Sequence, residues 1–156
     1  MDWKSIYESR LCNAEQAVRA IKSGDRIFMT GNVSVPQKLL AALVNYAPNL
    51  KNVEVCQALS VGPGDYAKPE MEGHLRINTL FISANVRKAV QEARADFTPV
   101  LLSEFTLLFK NGILPVDVTL VSDRNFFLFT PMLAEAATGA VETRHVLHPI
   151  RPLCTA

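Results

Sequence analysis

The order of apolar segments constrains this chain most: short strand-like runs alternate with stretches of helical periodicity. The runs at residues 26–30, 53–56, 79–83 and 116–121 are predicted to be strands, the second extending toward residue 59. A strand and helix alternation of this kind predicts an α/β fold, an open and mainly parallel sheet flanked by helices. Its crossover connections should be right-handed.

The spacing of apolar residues predicts four helices up to residue 122: one before the first strand, one between the first and second strands, and two between the third and fourth. Asn13 is a candidate N-cap for the first, and Gly24 is suited to the left-handed turn after it. Pro36 opens the second, whose buried stripe is Leu39, Leu40, Leu43 and Val44. Asn85 is a candidate cap for a helix over 86–93, and a further helix over 101–109 ends at Asn111-Gly112.

Ligands of parallel α/β sheets bind outside the carboxyl ends of the strands. Three loops, at residues 31–34, 60–64 and 84–87, are therefore predicted to face a ligand. Several familiar signatures are absent from the sequence, among them GxxxxGK[ST], GxGxxG, GxSxG and HExxH. Gly62-Pro63-Gly64 indicates a turn. The residues alone predict a small α/β domain with loops able to bind a ligand.

Composition excludes several other classes of protein. The 156 residues carry 16 basic and 15 acidic side chains, a formal net charge of +1, so no basic field favours nucleic acid or an anionic membrane. No apolar run approaches a membrane span, and the mixed N-terminus is not a secretory signal, which favours the cytoplasm. Three separated cysteines and three histidines predict neither a disulfide framework nor a metal site.

Four sequence blocks occur in an order typical of one enzyme family. They are NAEQAVRAIKSGDRIFMTG, PQKLLAALVNYAPNLKNVEV, YAKPEMEGHLRINTLFIS and ANVRKAVQEARADFTPVLLSEFTLLFKNGILPVDVTLVS. From about Ser9 to Ser122 the chain resembles the N-terminal half of the acetyl-CoA hydrolase/transferase family, the group that includes 4-hydroxybutyrate CoA-transferases.

The resemblance implies a two-domain enzyme that moves coenzyme A between an acyl-CoA and a small carboxylate through a glutamyl-CoA thioester. The nucleophilic glutamate belongs to the C-terminal domain, beyond residue 156, so no catalytic residue is assigned here. Glu70, Glu72 and Glu104 lie in family-like blocks but not in the nucleophile's motif. We therefore expect this chain alone to be inactive, with no bound cofactor and a CoA thioester as substrate.

The resemblance also implies a partner, the missing C-terminal domain or a separate subunit. A chain without that domain exposes the surface that would pack against it, so we also expect oligomerisation or poor solubility. The alternative is a non-catalytic module that binds a carboxylate or CoA, or one subunit of a split CoA-transferase. Acyl donor and acceptor, and transferase against hydrolase, stay open.

Five residues are candidates for substrate binding on the strand-end loops. Gly31 allows close backbone approach, and Asn32 and Asn85 offer amide donors. Ser60 offers a hydroxyl, and Arg87 at a helix start offers a guanidinium for a carboxylate or phosphate. The alternatives are turns that need permissive backbone angles and, for Arg87, a solvated side chain.

The family pattern is lost at Ser122. Members usually continue with a proline pair, an aspartate and a glycine-containing strand, whereas this chain reads VSDRNFFLFTPMLAEAATGAV. We therefore divide the chain into a domain over 1–122 and a divergent tail over 123–156, with a helix over 132–141 and no clear strand. A frameshifted or truncated gene product and a genuine short variant both account for this ending.

Overall fold

A computed structural model describes residues 3–32, 34–120, 126–128 and 147–149. Its main sheet has five strands in the order β4-β3-β2-β1-β5, and every neighbouring pair is parallel. The predicted α/β fold with a parallel sheet is confirmed. The strands are β1 Arg26–Met29, β2 Val53–Gln57, β3 Leu75–Thr79, β4 Ala95–Phe97 and β5 Val118–Leu120.

The helices are short; the first two precede β1, and the other three lie between strands. They are α1 Trp3–Arg10, α2 Ala14–Ala17, α3 Gln37–Tyr46, α4 Ala84–Gln91 and α5 Phe105–Lys110, with 3₁₀ turns at Val18–Ala20, Ala47–Asn49, Asp65–Ala67 and Pro69–Met71. None of the helices within the described ranges has the length and apolar character needed to cross a bilayer.

One face of the sheet carries the hydrophobic core. Ile27, Val55 and Ile77 are each preceded by a charged residue in their strands and are completely or almost completely buried. Leu43 of α3 and Val86 of α4 belong to the same buried cluster, so these helices cover this face. The alternation separates apolar from polar side chains because successive residues of a strand point to opposite faces.

The opposite face is largely polar. Arg26 and Asn78 both donate to the Glu54 carboxylate, at 2.8 and 2.9 Å, and Thr98 donates to Asn78 at 2.8 Å. Helix α5 lies on this side, since the Phe28 and Phe109 rings meet edge to face with centroids 4.9 Å apart. The sheet thus has one apolar face and one face of linked polar side chains.

The predicted start of the helix after Asn13, which is α2, is confirmed, whereas its predicted length is not. Asn13 accepts from the Gln16 backbone N–H at 2.8 Å, and the Gln16 side chain accepts from the Asn13 N–H at 3.1 Å, which completes a capping box. The α-helical part ends at Ala17 and continues as a 3₁₀ turn. Gly24 adopts the predicted positive φ, 87°. Helix α3 matches its prediction, with Leu40 and Leu43 buried.

The strand predicted at 79–83 is wrong. Strand β3 occupies Leu75–Thr79, where each residue pairs in register with one of Val53–Gln57. Its Leu75, Ile77 and Thr79 face the core and alternate with polar residues, and this alternation is the stronger signal. The apolar run that follows forms the connection to α4, where Leu80 is buried and Ile82 is exposed.

Two other boundaries differ, and one strand was not predicted. Helix α4 begins after Ser83, so Asn85 lies in its first turn and is not its cap. Helix α5 begins at Phe105 and not at residue 101, because 101–104 form a turn with exposed leucines. The three-residue edge strand β4 was not predicted, since so short a segment shows no periodicity.

The backbone of two strands is described beyond residue 120. Phe126–Leu128 forms β6 and Leu147–Pro149 forms β7, and they pair antiparallel with Phe127 opposite His148. The expectation of no clear strand in the tail is therefore wrong. The helix predicted at 132–141 lies outside the described residues.

The strand order reverses beside β1. The chain proceeds from β1 to β2, β3 and β4, and then returns to place β5 on the other side of β1. In open α/β sheets the ligand crevice lies at such a reversal, outside the carboxyl ends of the strands. The residues that follow β1, Gly31 and Asn32, occupy this position.

Candidate functional site at the carboxyl edge of the sheet

The loops after β1 and β2 pack directly against each other. The Asn32 backbone N–H donates to the Leu59 carbonyl at 2.7 Å, and Asn32 forms an isolated parallel bridge with Ser60. A Cβ on Gly31 would collide with the Leu59 carbonyl oxygen. Asn32 adopts a φ of 52°, the left-handed conformation that asparagine tolerates better than most residues. The expected permissive backbone at this turn is therefore present.

The second loop joins the start of α4 through side chains. Asn85 Nδ2 donates to Ser60 Oγ at 3.0 Å and to the Gly62 carbonyl at 3.2 Å. Ser83 Oγ donates to Asn85 Oδ1 at 2.6 Å. The Asn85 amide thus links the loop after β2 to the loop after β3.

A chain of hydrogen bonds continues from this amide into the core. Ser60 Oγ lies 2.6 Å from the hydroxyl of Tyr66, and that hydroxyl donates to Gln57 Oε1 at 2.8 Å. Tyr66 and Gln57 are completely buried, and Ser60 is almost so. Burial raises the pKa of Tyr66, against the opposing effect of its hydrogen bonds, so its hydroxyl stays protonated at neutral pH.

The linked side chains of Gln57, Ser60, Tyr66, Ser83 and Asn85 form a polar cluster, and one of its atoms has no partner among the described residues. Gln57 Nε2 is buried at the carboxyl end of β2 and makes no hydrogen bond there. Buried N–H groups are rarely left unpaired in native proteins. This end of the cluster therefore carries an unused donor.

Contacts to its backbone fix the same loop to the neighbouring helices. Gln37 of α3 donates to the Val61 carbonyl at 2.9 Å. Gly64 lies so near α4 that a Cβ there would be 2.5 Å from the Asn85 carbonyl oxygen. The loop after β2 is thereby held between the first turns of α3 and α4.

Four of the five predicted substrate-binding residues meet at this edge: Gly31, Asn32, Ser60 and Asn85. Arg87 is exposed on α4 and makes no side-chain hydrogen bond or ion pair within the described part of the chain. Whether any of the five contacts substrate stays a prediction. Sequence reasoning missed Gln57, Tyr66 and Ser83, although Tyr66 and Ser83 are the first and last residues of one of the family-like blocks.

A groove of about 400 Å³ opens on the outer side of the same loop. Its apolar residues include Leu40, Val44 and Met71, and its rim includes Asp65 and Lys68, whose side chains form an ion pair at 2.7 Å. Glu70, Glu72 and Glu104 are all exposed. None of these three glutamates has a hydrogen bond or ion pair to the polar cluster.

The chain folds into a parallel α/β domain, and the loops at the carboxyl edge of its sheet form a polar cluster. The Acetyl-CoA hydrolase/transferase N-terminal domain model matches residues 1–126. The chain belongs to this family.

Relatives and solved structures agree with the family. The chain is 39% identical over 121 residues to a 4-hydroxybutyrate coenzyme A transferase of Clostridium kluyveri, covering 78% of this chain and 28% of the relative. It is 36% identical over 112 residues to a succinyl-CoA:acetate/propanoyl-CoA:succinate CoA transferase of Fasciola hepatica, covering 70% and 23%. The crystal structure of RipA from Yersinia pestis shares the fold, with a TM-score of 0.71, 20% identity and coverage of 82% and 33%.

The chain spans only about a quarter of the length of these two curated relatives. A second group of relatives matches a shorter stretch. An external alternative NAD(P)H-ubiquinone oxidoreductase of Arabidopsis thaliana is 57% identical over 37 residues, which is 24% of this chain and 6% of that protein. The two groups carry different printed functions, so the chain combines sequence similar to two kinds of protein.

Proposed function

We propose that this chain is the N-terminal part of an acyl-CoA:carboxylate CoA-transferase. The observation that carries the proposal is the family match over residues 1–126, in which the polar cluster lies at the carboxyl edge beside the strand-order reversal. The relatives' printed names are those of enzymes that exchange CoA between carboxylic acids. A cluster of amide and hydroxyl groups at this edge is suited to bind a small carboxylate.

In the proposed reaction, the CoA sulfur passes from the acyl carbon to the carboxyl carbon of a glutamate while one glutamate oxygen passes to the acyl carbon, so the acyl group leaves as a carboxylate. The incoming carboxylate reverses this exchange: its carboxyl carbon takes the CoA sulfur and one of its oxygens returns to the glutamate, which is regenerated. That glutamate is proposed to lie in the C-terminal part of the enzyme. This chain is proposed to contribute the edge loops, with Gly31, Asn32, Ser60, Asn85 and Arg87 as the substrate-binding residues.

Without that nucleophile, this chain alone should not exchange CoA, because covalent catalysis requires the attacking group. The test is acyl exchange from butyryl-CoA to isotopically labelled acetate, followed by mass spectrometry of acetyl-CoA. It is run with this chain alone, and then with a separately expressed C-terminal part of a 4-hydroxybutyrate CoA-transferase. Activity only in the second case supports the proposal.

Activity from this chain alone would mean that it contains a nucleophile, and the assignment of no catalytic residue would be wrong. No activity in either case would favour the alternative, a non-catalytic carboxylate- or CoA-binding module. Arg87→Ala against Lys88→Ala is a matched pair on one exposed helix segment. A substrate role predicts loss of exchange for Arg87→Ala only.

Association with other chains is also proposed. Four large apolar residues around α5 are exposed: Leu101, Leu102, Leu107 and Ile113. Exposed apolar groups of this size favour association. Light scattering after size exclusion should give a mass above 17.2 kDa. A monodisperse monomer that melts cooperatively would contradict the proposed oligomer.

We further propose that residues 123–156 are a segment distinct from the domain over 1–122. The family pattern fades at Ser122, and the matched family model ends at residue 126. The similarity to NAD(P)H-ubiquinone oxidoreductases extends over 37 residues, close to the length of this tail, and we infer that it lies there. Sequencing the transcript and reading its other frames is the test. A frame that restores the family pattern would favour a frameshift, and a continuous transcript without one would favour a joined segment.

A further inference from the structure

The hydrogen bonds of the polar cluster can all be assigned one donor-to-acceptor direction. If Tyr66 donates to Gln57 Oε1, its oxygen is left to accept from Ser60, whose oxygen in turn accepts from Asn85 Nδ2. Ser83 supplies the last proton, to Asn85 Oδ1. The Tyr66 and Ser60 hydroxyls then each donate once and accept once, an arrangement in which neighbouring hydrogen bonds strengthen one another.

The link through Tyr66 does not depend on that direction. Turning the Gln57 amide over would let Nε2 donate to Tyr66, Tyr66 donate to Ser60, and Ser60 donate to Asn85 Oδ1, which lies 3.1 Å from Ser60 Oγ. In both arrangements the Tyr66 hydroxyl bonds to Ser60 on one side and to Gln57 on the other. Tyr66 is therefore the constant connection between the core and the edge.

Nothing else buried reaches Ser60 from the core side among the described residues. Its other side-chain neighbours, Ser83 at 3.4 Å and Asn85, belong to the start of α4. Tyr66 lies in a 3₁₀ turn at the far end of the loop and is completely buried. The rigid ring thus supports the Ser60 hydroxyl from the core, while Asn85 holds it from the edge.

We propose that Tyr66 is a positioning residue for the carboxylate-binding edge: its hydroxyl holds Ser60 against Asn85 and so fixes the loop after β2 against the start of α4, where substrate is proposed to bind. Tyr66 itself does not touch substrate. The inference rests on the proposed function for its consequence in catalysis, whereas the positioning of Asn85 is a property of this chain alone.

A matched pair of variants separates positioning from folding. Gln57→Met removes the buried amide but leaves the Tyr66 hydroxyl bonded to Ser60. Gln57→Met with Tyr66→Phe removes that hydroxyl as well. Neither variant leaves an unpaired group on residue 57 or 66. Replacing both hydrogen-bonding partners by apolar groups is nearly neutral for stability in many proteins. Both should fold, which their melting temperatures check.

The first readout is the side-chain NH₂ signal of Asn85 in a ¹⁵N–¹H NMR spectrum, assigned as the pair that Asn85→Ser removes. Gln57→Met should keep this signal. The double variant should move it toward that of the exposed Asn45 amide and speed its exchange with solvent by roughly three- to tenfold, the range for one lost hydrogen bond. An unchanged Asn85 signal in a folded double variant would overturn the proposal.

The second readout is the exchange assay with the supplied C-terminal part. Relative to Gln57→Met, the double variant should raise the KM for acetate by roughly three- to tenfold while kcat changes little. Equal KM values with a lower kcat would indicate only a loss of folded protein and would overturn the role in substrate binding. If the wild type shows no exchange, the proposed function fails, and the Asn85 signal still decides whether Tyr66 positions the edge.

Discussion

Gly31 lies against the carbonyl oxygen of Leu59 so closely that no side chain fits between them. The contact joins the turn after β1 to the loop after β2 at the point where the strand order reverses. A glycine is needed here for space, since residue 31 is not among the glycines with positive φ.

Gly31→Ala should therefore destabilise the domain by about 1–3 kcal/mol, because the backbone must shift to relieve the overlap. Gly112→Ala is the matched control: its φ is 67°, and a Cβ there meets nothing within 4 Å. It should lose only about 1 kcal/mol, the conformational penalty alone. Urea denaturation of both variants compares them, and equal losses would contradict a steric role for residue 31.

Two ion pairs on the polar face of the sheet should differ in their contribution to stability. Arg26 and Glu54 side chains are only 27% and 24% exposed, and Glu54 also accepts from Asn78. Removing this carboxylate leaves the Arg26 and Asn78 donors without their acceptor, so Glu54→Ala should lower the free energy of unfolding by about 1–3 kcal/mol.

The comparison is the Arg76–Asp96 pair, whose side chains are 53% and 48% exposed. Asp96→Ala should lower the stability by no more than about 1 kcal/mol, because solvent screens an exposed pair. Chemical denaturation at low and high salt distinguishes the two. A smaller loss for Glu54→Ala than for Asp96→Ala would contradict this ranking.

The positions of the helices and strands followed from the sequence where periodicity was clear. Leu40 and Leu43 mark the buried face of α3, and the Asn13 and Gln16 capping box follows from two residue types at the right spacing. Strand β3 was misplaced because the apolar run 79–83 was preferred to the alternation of Leu75, Ile77 and Thr79. Local hydrophobicity does not show which residues pair with Val53–Gln57.

The site was predictable only as far as the rule applies that ligands of parallel α/β sheets bind outside the carboxyl ends of the strands. That rule selected the loops of Ser60 and Asn85, which do meet, at 3.0 Å. It gave no reason to choose Tyr66, because its link to Ser60 and Gln57 depends on how the loop folds back onto β2. Such contacts are set by tertiary packing and leave no spacing pattern in the sequence.

The capping box at α2 should contribute measurably to stability although the helix is short. Asn13→Ala removes the side-chain oxygen that accepts from Gln16 and should lower the free energy of unfolding by about 1 kcal/mol. Asn13→Ser retains a capping oxygen and should lose only a small part of that. Equal thermal stability of the wild type and Asn13→Ala would show that this cap is dispensable.

The two described cysteines should differ in reactivity. Cys12 is exposed, whereas Cys56 is completely buried in β2. In a Cys154→Ser background, Ellman's reagent at pH 7.5 should modify one thiol per native chain quickly and a second only after denaturation, since the thiolate is the reacting form. Cys12→Ser should remove the fast reaction. A fast reaction that survives Cys12→Ser would contradict the burial of Cys56.

The same burial predicts a loss of stability in alkaline solution. Burial raises the pKa of Cys56 to about 11, an effect that the nearby Glu54 carboxylate reinforces and Arg26 opposes. The unfolded thiol titrates near 8.5, so above that pH the unfolded chain loses a proton that the native chain keeps. The contribution of the Cys56 thiol to the free energy of unfolding is fully present below about pH 8.5. It declines toward pH 11, by up to about 1.4 kcal/mol per pH unit. Denaturation of wild type and Cys56→Ala across this range measures it, and the stability difference between them should narrow as the pH rises. A constant difference would contradict a perturbed thiol at this position.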